Sequence, residues 1–233
     1  MAIGTIDQSQ RRAASVVGFT YLFALVTANF AEFYVRGHLI VSDDAAQTAR
    51  NIVAHELLFR LGIASDLITY AADAVLVVGL YVILKPVNPV LALLAVFWRL
   101  VETSTLVVAT LADLDALRAL SEVGYLRVFE ADRLQALARS SLGAHGAGYN
   151  VGLLFFGLGS TVFAYLWFRS SYIPRALAAW GVFSSLLCVV CPLAFVVFPG
   201  FANVAEPGCF LPIAIFEITI GFWLAIKGLR VSG

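Results

Sequence analysis

The chain alternates between long apolar runs and short polar segments, and this pattern indicates helices that cross a membrane. A transmembrane helix needs about 20 predominantly apolar residues, because the hydrocarbon core of a bilayer is about 30 Å thick. The pattern predicts one polytopic membrane domain over residues 1–233, with six transmembrane helices at about residues 13–35, 60–84, 90–112, 146–169, 174–198 and 208–228.

Between the third and fourth predicted spans, residues 113–142 have a helical pattern but carry too much charge to cross a bilayer. Apolar residues such as Leu117 and Leu120 recur at helical spacing, with Arg118 and Asp132 among the charged residues between them. This pattern is typical of an amphipathic helix at a membrane surface. We expect it to cover the outer mouth of an all-α, six-helix bundle.

The composition supports the membrane class. Hydrophobic residues make up 61% of the chain and charged residues only 13%, with a mean hydropathy of +0.91. A soluble domain carries about 25% charged residues, so a soluble protein is disfavoured. The formal net charge is zero, from 15 basic and 15 acidic residues, which argues against nucleic acid as a partner.

Basic residues collect on one side of the predicted helices. With the N-terminus in the cytoplasm, the inner side receives Arg11, Arg12, Lys85, Arg169, Arg175, Lys227 and Arg230. Short basic segments are typical of the cytoplasmic side of a membrane. Six spans then return the C-terminus to the cytoplasm as well.

The three cysteines, Cys188, Cys191 and Cys209, do not indicate a disulfide framework. Cys188 and Cys191 form a C-x-x-C pair near the outer end of a predicted helix, which leaves a redox pair open as an interpretation. Because the chain lacks the βαβ pattern of thioredoxin-like proteins, ordinary apolar packing is the favoured interpretation.

Ionisable residues within the predicted spans are the candidates for a functional site. His55, Asp66 and Asp73 fall on one stripe if this region is helical, since their spacing nearly completes whole turns of about 3.6 residues. The next span supplies Arg99 and, one turn later, Glu102. Each such side chain costs about 2.5–3.5 kcal/mol to insert, so it needs a partner, water or a function.

Depth along the helices separates two groups of candidates. At about 1.5 Å per residue, Asp73, Arg99 and Glu217 fall near mid-membrane, while Asp66 and Glu102 lie in the outer half. Residues expected at the outer mouth, where they exchange protons or bind a ligand, are His55, His145, Arg60 and Asn150. The inner half carries almost no ionisable side chains, which predicts a polar cavity that opens outward and is sealed toward the cytoplasm.

Carboxylates outnumber guanidinium groups in the deep set. Arg99 is accompanied by four acids, which are Asp66, Asp73, Glu102 and Glu217. We expect at least one acid to be protonated at neutral pH, because burial and neighbouring like charges favour the neutral form. A buried carboxylic acid of this kind is suited to donating or carrying a proton.

Ion pairing offers a structural interpretation for several of these residues. Glu56 and Arg60 stand at the i,i+4 spacing of a salt bridge at a helix entrance. Arg99 can pair with Asp73 across two helices or with Glu102 within its own helix.

A metal site is a further alternative, because His38, His55 and His145 are all predicted on one side of the membrane with carboxylates nearby. The chain has no H-E-x-x-H spacing, no Gly-x-Ser-x-Gly elbow and no glycine-rich phosphate loop. We therefore assign no metal ligands, and the sequence indicates no particular cofactor.

Several motifs spread over most of the chain are specific enough to compare with a known family. They are Leu58-Phe59-Arg60-x-Gly62-Ile63-x-x-Asp66-Leu67, Leu80-Tyr81-x-x-Leu84-Lys85-Pro86-Val87, Arg99-Leu100-Val101-Glu102 and Ser171-Tyr172-Ile173-Pro174-Arg175. These motifs resemble the bacterial membrane proteins grouped as domain-of-unknown-function family 4386. The resemblance implies a six- or seven-helix protein of the bacterial inner membrane, and it implies no activity.

The leading functional hypothesis is an intramembrane enzyme that acts on a lipophilic small molecule, such as an isoprenoid or a lipid. Asp66 and Glu217 are the first candidates for the general acid or base, because the sequence shows no evident partner for either. Asp73 and Glu102 are the second candidates, and Arg99 would set the local charge. The alternatives are a proton-coupled transporter and a non-catalytic binding or scaffold protein. Expected partners are the bilayer, a lipophilic ligand and, if the protein self-associates, a second copy of the chain.

Overall fold

The computed structural model describes residues 6–121 and 129–230, and the regular elements within these ranges are all helical. In chain order they are α1 (Gln8–Asn29), a π-helical segment (Phe30–Arg36), α2 (Gly37–Leu39), α3 (Ala45–Ala54), α4 (Glu56–Leu84), α5 (Pro89–Leu120), α6 (Ala131–Ser170), α7 (Arg175–Val197) and α8 (Pro199–Ile226).

Within the described residues, six helical segments are long and apolar enough to span a membrane, which confirms the all-α membrane class. They are Gln8–Leu39, Glu56–Leu84, Pro89–Leu120, Ala131–Ser170, Arg175–Val197 and Gly208–Ile226. The first four extend beyond the spans predicted from hydropathy, because the helices continue into polar residues that an apolar window excludes. The chain is therefore a multi-pass membrane protein.

The charged segment over residues 113–142 is helical in most of the part that the structure describes. Residues 113–120 form the C-terminal end of α5, and residues 131–142 form the beginning of α6. The middle of this segment, residues 122–128, lies outside the described residues. In its described parts, the predicted amphipathic pattern belongs to extensions of two spanning helices.

Local sequence accounts for where two of the spanning helices begin. Asp7 accepts a hydrogen bond from the backbone N–H of Gln10 at 2.7 Å, and the Gln10 side chain accepts one from the backbone N–H of Asp7 at 3.1 Å. This reciprocal arrangement satisfies two donors at the start of α1. Asn88 likewise accepts from the backbone N–H of Leu91 at 3.0 Å, just before α5 begins at Pro89.

The chain divides into two compact units, of which the first comprises residues 1–25, 71–103 and 151–233. Its core contains large buried side chains that include Leu80, Trp167 and Tyr172. Gly157 allows α6 to approach α7 closely, since a Cβ at this position would lie 2.6 Å from the backbone carbonyl carbon of Cys188. Close backbone packing of this kind is a common way for helices to associate in a membrane.

The second unit comprises residues 26–70 and 104–150. Its apolar core includes Phe59 and Leu117. Hydroxyl groups add polar contacts within it, because Ser65 Oγ donates to the Thr27 carbonyl at 2.9 Å and Thr69 Oγ1 to Thr27 Oγ1 at 2.6 Å. These bonds join α4 to the C-terminal part of α1.

A disulfide joins Cys191 of α7 to Cys209 of α8, and Cys188 is a free, buried cysteine. The expectation of apolar packing, with a Cys188–Cys191 redox pair as its alternative, is therefore wrong for Cys191. Its partner lies 18 residues away on the next helix, so the C-x-x-C spacing did not identify the bonded pair. The disulfide closes the α7–α8 connection, which stabilises this helix pair by restricting the unfolded chain.

Candidate functional site

The buried charged side chains form two clusters, each contained within one unit. We name each cluster after its arginine. The Arg36 cluster, in the second unit, comprises Glu32, Arg36, Asp66, Asp113 and His145. The Arg99 cluster, in the first unit, comprises Asp73, Arg99, Glu102 and Glu217.

Arg36 is brought into the second unit by the π-helical end of the first span. The backbone N–H of Gly37 bonds to the Glu32 carbonyl, five residues earlier, which is the π-helical pattern. The helix therefore continues past the predicted end of the span, and Arg36 is only 6% exposed. The span predicted from hydropathy ends at residue 35, so Arg36 is not among the predicted site residues.

Arg36 binds three carboxylates from three segments of the chain. Its Nη2 atom lies 2.5 Å from Asp66 Oδ2 of α4 and 2.5 Å from Asp113 Oδ2 of α5, and its Nη1 atom lies 3.3 Å from Glu32 Oε2. The planar, permanently charged guanidinium is suited to bridging several carboxylates at once. Asp66, for which the sequence showed no evident partner, therefore has one in Arg36.

His145, which belongs to α6, lies beside Asp113 of α5. Its Nδ1 atom is 3.1 Å from Asp113 Oδ2, and the two side chains are almost completely buried. The Tyr149 ring, one turn further along α6, stacks near the imidazole with ring centroids 6.3 Å apart. A carboxylate beside one ring nitrogen restricts the orientation of a histidine side chain.

Several polar atoms of the Arg36 cluster keep unused hydrogen-bonding capacity. Among the described residues, Arg36 Nε, Asp113 Oδ1 and both ring nitrogens of His145 are buried without a hydrogen-bond partner. The 3.1 Å contact between His145 and Asp113 is thus an electrostatic contact that lacks hydrogen-bond alignment. Buried polar atoms are ordinarily satisfied, so three residues with unsatisfied atoms in one place make the Arg36 cluster the candidate functional site.

Glu32 is the member of the Arg36 cluster that reaches the surface. Its side chain is 41% exposed, whereas those of Arg36 and Asp113 are 7% and 0% exposed. Glu32 therefore connects the buried ion pairs to the outside of the unit.

In the Arg99 cluster, the arginine is buried within the first unit. Arg99 Nη2 lies 3.4 Å from Asp73 Oδ1, and Nη1 lies 3.0 Å from Glu102 Oε2. The guanidinium carbon stacks 4.5 Å from the centroid of the Phe156 ring. Gly159 makes room for this side chain, because a Cβ there would lie 2.9 Å from Arg99 Cγ.

Glu217 belongs electrostatically to the Arg99 cluster. It projects from α8, is partly buried, and interacts with the charges of Arg99 and Asp73. Within the part of the chain that the structure describes, it forms no ion pair of its own.

The remaining predicted site residues lie outside these two clusters. His55 is exposed between α3 and α4, where its Nδ1 atom is 3.1 Å from the Asn51 carbonyl. Arg60 is exposed and pairs with Glu56 at 2.7 Å, as the i,i+4 spacing indicates. Asn150 is partly buried on α6.

Arg36 and Asp113 are absent from the predicted site because both residues lie at the borders of apolar runs. Hydropathy places each of them just outside a predicted span, whereas both are buried in spanning helices. The available signal was the four-residue spacing of Asp113 and Leu117, which places both residues on the same face of a continuous helix.

No group of three or more histidine, cysteine and acidic residues is arranged to hold a metal ion in residues 6–121 and 129–230. His38 is exposed, with its Nδ1 atom 2.6 Å from the Tyr34 carbonyl, so the three histidines do not converge. A groove of about 640 Å³ lies along α1 and α4 in the first unit, and none of the predicted site residues lines it.

The fold and these clusters define a class, which is a multi-pass helical membrane protein with buried charged residues. A family model described as "Domain of unknown function (DUF4386)" matches residues 16–228. This match covers most of the chain, so the chain belongs to that family, and the resemblance seen in its motifs is confirmed. No curated protein and no solved structure matches the chain.

Proposed function

We propose that this protein is an intramembrane acid–base enzyme that acts on a lipophilic small molecule at the Arg36 cluster. The observation that supports this proposal best is the group of buried, unpartnered atoms on Arg36, Asp113 and His145. A base, a residue that orients it and a group that stabilises negative charge are the parts that proton-transfer catalysis requires.

His145 is the proposed general base. Asp113 stands at its Nδ1 side, which leaves Nε2 to accept a proton from the substrate. The electron pair of the broken bond stays on the substrate, where the Arg36 Nε–H group would stabilise the resulting negative charge. His145 then returns the proton to a different substrate atom or to a leaving group.

This proposal moves the first candidate for the base from Asp66 to His145. Asp66 is held by Arg36 at 2.5 Å, so its geometry suits positioning of the guanidinium. Glu217 is in the first unit and takes no part in the reaction proposed at the Arg36 cluster.

A lipophilic substrate with one polar group fits the position of the cluster. Asp113 lies about 36 Å along α5 from Pro89, at about 1.5 Å per residue, and this exceeds the hydrocarbon thickness of about 30 Å. If Pro89 lies at one membrane surface, Asp113 is near the other. A polar headgroup would reach the cluster there while an apolar tail remains in the bilayer.

Deuterium transfer tests the function even though the substrate is unidentified. The purified protein is incubated in D₂O buffer with a total lipid extract of the expression host, and the lipids are analysed by mass spectrometry. A proton-transfer enzyme introduces deuterium into one lipid class. We expect this transfer with the wild type and with H55Q, whose histidine is exposed, and its loss with H145Q. Equal transfer by H145Q and H55Q would refute the role of His145.

A proton-coupled transporter is the second candidate, and the excess of carboxylates in the Arg99 cluster favours it. Proton flux that depends on a solute gradient across liposomes containing the protein would support transport. Deuterium transfer with no such flux would support the enzyme.

We also propose that the protein resides in the bacterial cytoplasmic membrane with both termini in the cytoplasm. The inner ends of the helices would then carry Lys85 and Arg175, as the positive-inside rule requires. Cys191 lies about 24 Å along α7 from Arg175, so the disulfide would face the oxidising side, where disulfides persist. Reporter fusions at the C-terminus that are active only in the cytoplasm test this orientation.

A further inference from the structure

The groove of about 640 Å³ in the first unit lies between the beginning of α1 and the C-terminal part of α4. The α1 residues that line it, from Gln8 to Val16, extend over about 12 Å at about 1.5 Å per residue. Half of the hydrocarbon core of a bilayer is about 15 Å thick. Ligand sites usually have volumes of about 300–1,000 Å³. The groove is therefore long enough and large enough to hold part of one lipid molecule.

The lining of the groove is polar at one end and apolar along the rest. The Gln10 side chain donates to the Ile83 carbonyl at 3.0 Å, which holds the beginning of α1 beside the end of α4. At this end the lining residues are Asp7, Gln8, Ser9 and Arg12. The remaining lining is apolar and comprises Ala13, Val16, Val75, Val78, Gly79 and Val82. A phospholipid has the same division between a polar headgroup and apolar chains.

The apolar part of the groove faces outward. Val16, Val75 and Val78 are all exposed, and on spanning helices such side chains meet hydrocarbon. Gly79 lets α1 and α4 approach each other closely here, because a Cβ at this position would overlap the Val17 side chain. An acyl chain lying in the groove would cover the exposed valines.

The polar end carries one positive and one negative group. Arg12 is exposed and has no ion pair among residues 6–121 and 129–230. Asp7 Oδ1 accepts from the backbone N–H of Gln10 at 2.7 Å, so the other carboxylate oxygen can accept from a ligand. Arginine is suited to binding phosphate, and a carboxylate is suited to binding an ammonium group. A headgroup with one phosphate and one ammonium therefore matches these charges, whereas a purely anionic headgroup would lie beside the like charge of Asp7.

We propose that this groove binds one molecule of phosphatidylethanolamine, a phospholipid whose headgroup carries a phosphate and a primary ammonium. The phosphate accepts hydrogen bonds from the Arg12 guanidinium, and the ammonium donates to the Asp7 carboxylate. One acyl chain lies along the valines of α1 and α4. This inference is independent of the reaction proposed at the Arg36 cluster, because none of that cluster's residues lines the groove.

Native mass spectrometry of the delipidated full chain in mild detergent measures the dissociation constant of each added lipid. The probes are phosphatidylethanolamine, phosphatidylcholine and phosphatidylglycerol with identical oleoyl chains. The choline headgroup has no N–H to donate, and the glycerol headgroup has no cation. We expect phosphatidylethanolamine to bind about fivefold more tightly than the other two, which is the size of one exposed charge pair. Equal affinities, or tighter binding of phosphatidylglycerol, would overturn the proposal without the need for any variant.

Two substitutions separate the roles of the two charges. R12Q should weaken binding of all three lipids about fivefold, because each has a phosphate. Its control is R11Q, since Arg11 is also exposed but does not line the groove. D7N should remove the preference for ethanolamine over choline, while asparagine still caps α1. Wild-type affinity in R12Q, or an unchanged preference in D7N, would contradict the assigned contacts.

A third substitution tests whether the lipid lies in the groove. V78F introduces a larger side chain into the lining, and V108F is its control, because Val78 and Val108 are 62% and 64% exposed. We expect V78F to lose the bound phosphatidylethanolamine and V108F to retain it. Retention by V78F would place the lipid elsewhere and overturn the proposal. Dimers that persist in excess lipid and disappear in V78F would show that a second copy of the chain covers the groove, which would also overturn it.

Discussion

Replacing Arg36 with methionine should destabilise the protein strongly, because Arg36 is the cation that holds the Arg36 cluster together. Methionine replaces the aliphatic part of the arginine side chain with an apolar chain of similar length. The substitution leaves Asp66 and Asp113 buried without their guanidinium partner. Removing one partner of a buried ion pair costs about 3–5 kcal/mol. We expect R36M to lower the free energy of unfolding by an amount in this range.

The matched control is R60M. Arg60 also forms an ion pair, with Glu56 at 2.7 Å, but the side chains of both residues are about half exposed. Exposed ion pairs contribute about 0–1 kcal/mol. Reversible unfolding of each variant by sodium dodecyl sulfate, followed by circular dichroism in mixed micelles, compares the two losses under the same conditions.

A third variant separates charge from packing. Adding D66N and D113N to R36M removes two of the uncompensated carboxylates, so part of the lost stability should return. If R36M is no less stable than R60M, the Arg36 cluster does not act as a stabilising buried ion-pair network.

Two further predictions concern close packing and the disulfide. G159A should destabilise the protein by about 1–3 kcal/mol, because the new methyl group would lie 2.9 Å from Arg99 Cγ. G143A, where a Cβ meets nothing within 4 Å, is its control, and equal stability of the two variants would contradict the packing argument. C191S should cost about 2–4 kcal/mol in the oxidised protein and much less under reducing conditions. An unchanged unfolding midpoint for C191S in the oxidised protein would show that the disulfide does not stabilise the α7–α8 pair.

The hydrophobic pattern was sufficient to predict the helices and the deep charges. Long apolar runs have few alternatives in a membrane, because only helices and closed barrels satisfy their backbone groups there. The ion pairs of Arg99 with Asp73 and with Glu102 also followed from helical depth and spacing, and both are present in the structure.

The Arg36 cluster was harder to predict, because its members come from the ends of apolar runs. A hydropathy window ends at the first charged residues, so Arg36 and Asp113 were assigned to polar segments. Their burial depends on how far the helices continue and on the π-helical turns before Gly37, which hydropathy does not report. The Cys191–Cys209 bond was missed for a similar reason, since it depends on packing between two helices.

Deuterium transfer by H145Q and D113N, measured beside H55Q, tests the proposed acid–base function most directly. General acid–base catalysis contributes about 10²–10⁴-fold to a rate. We expect a loss of this size for H145Q and a smaller loss for D113N, in which His145 is retained without its carboxylate partner, while H55Q keeps the rate of the wild type. Transfer at the wild-type rate in folded H145Q would contradict the proposed acid–base site.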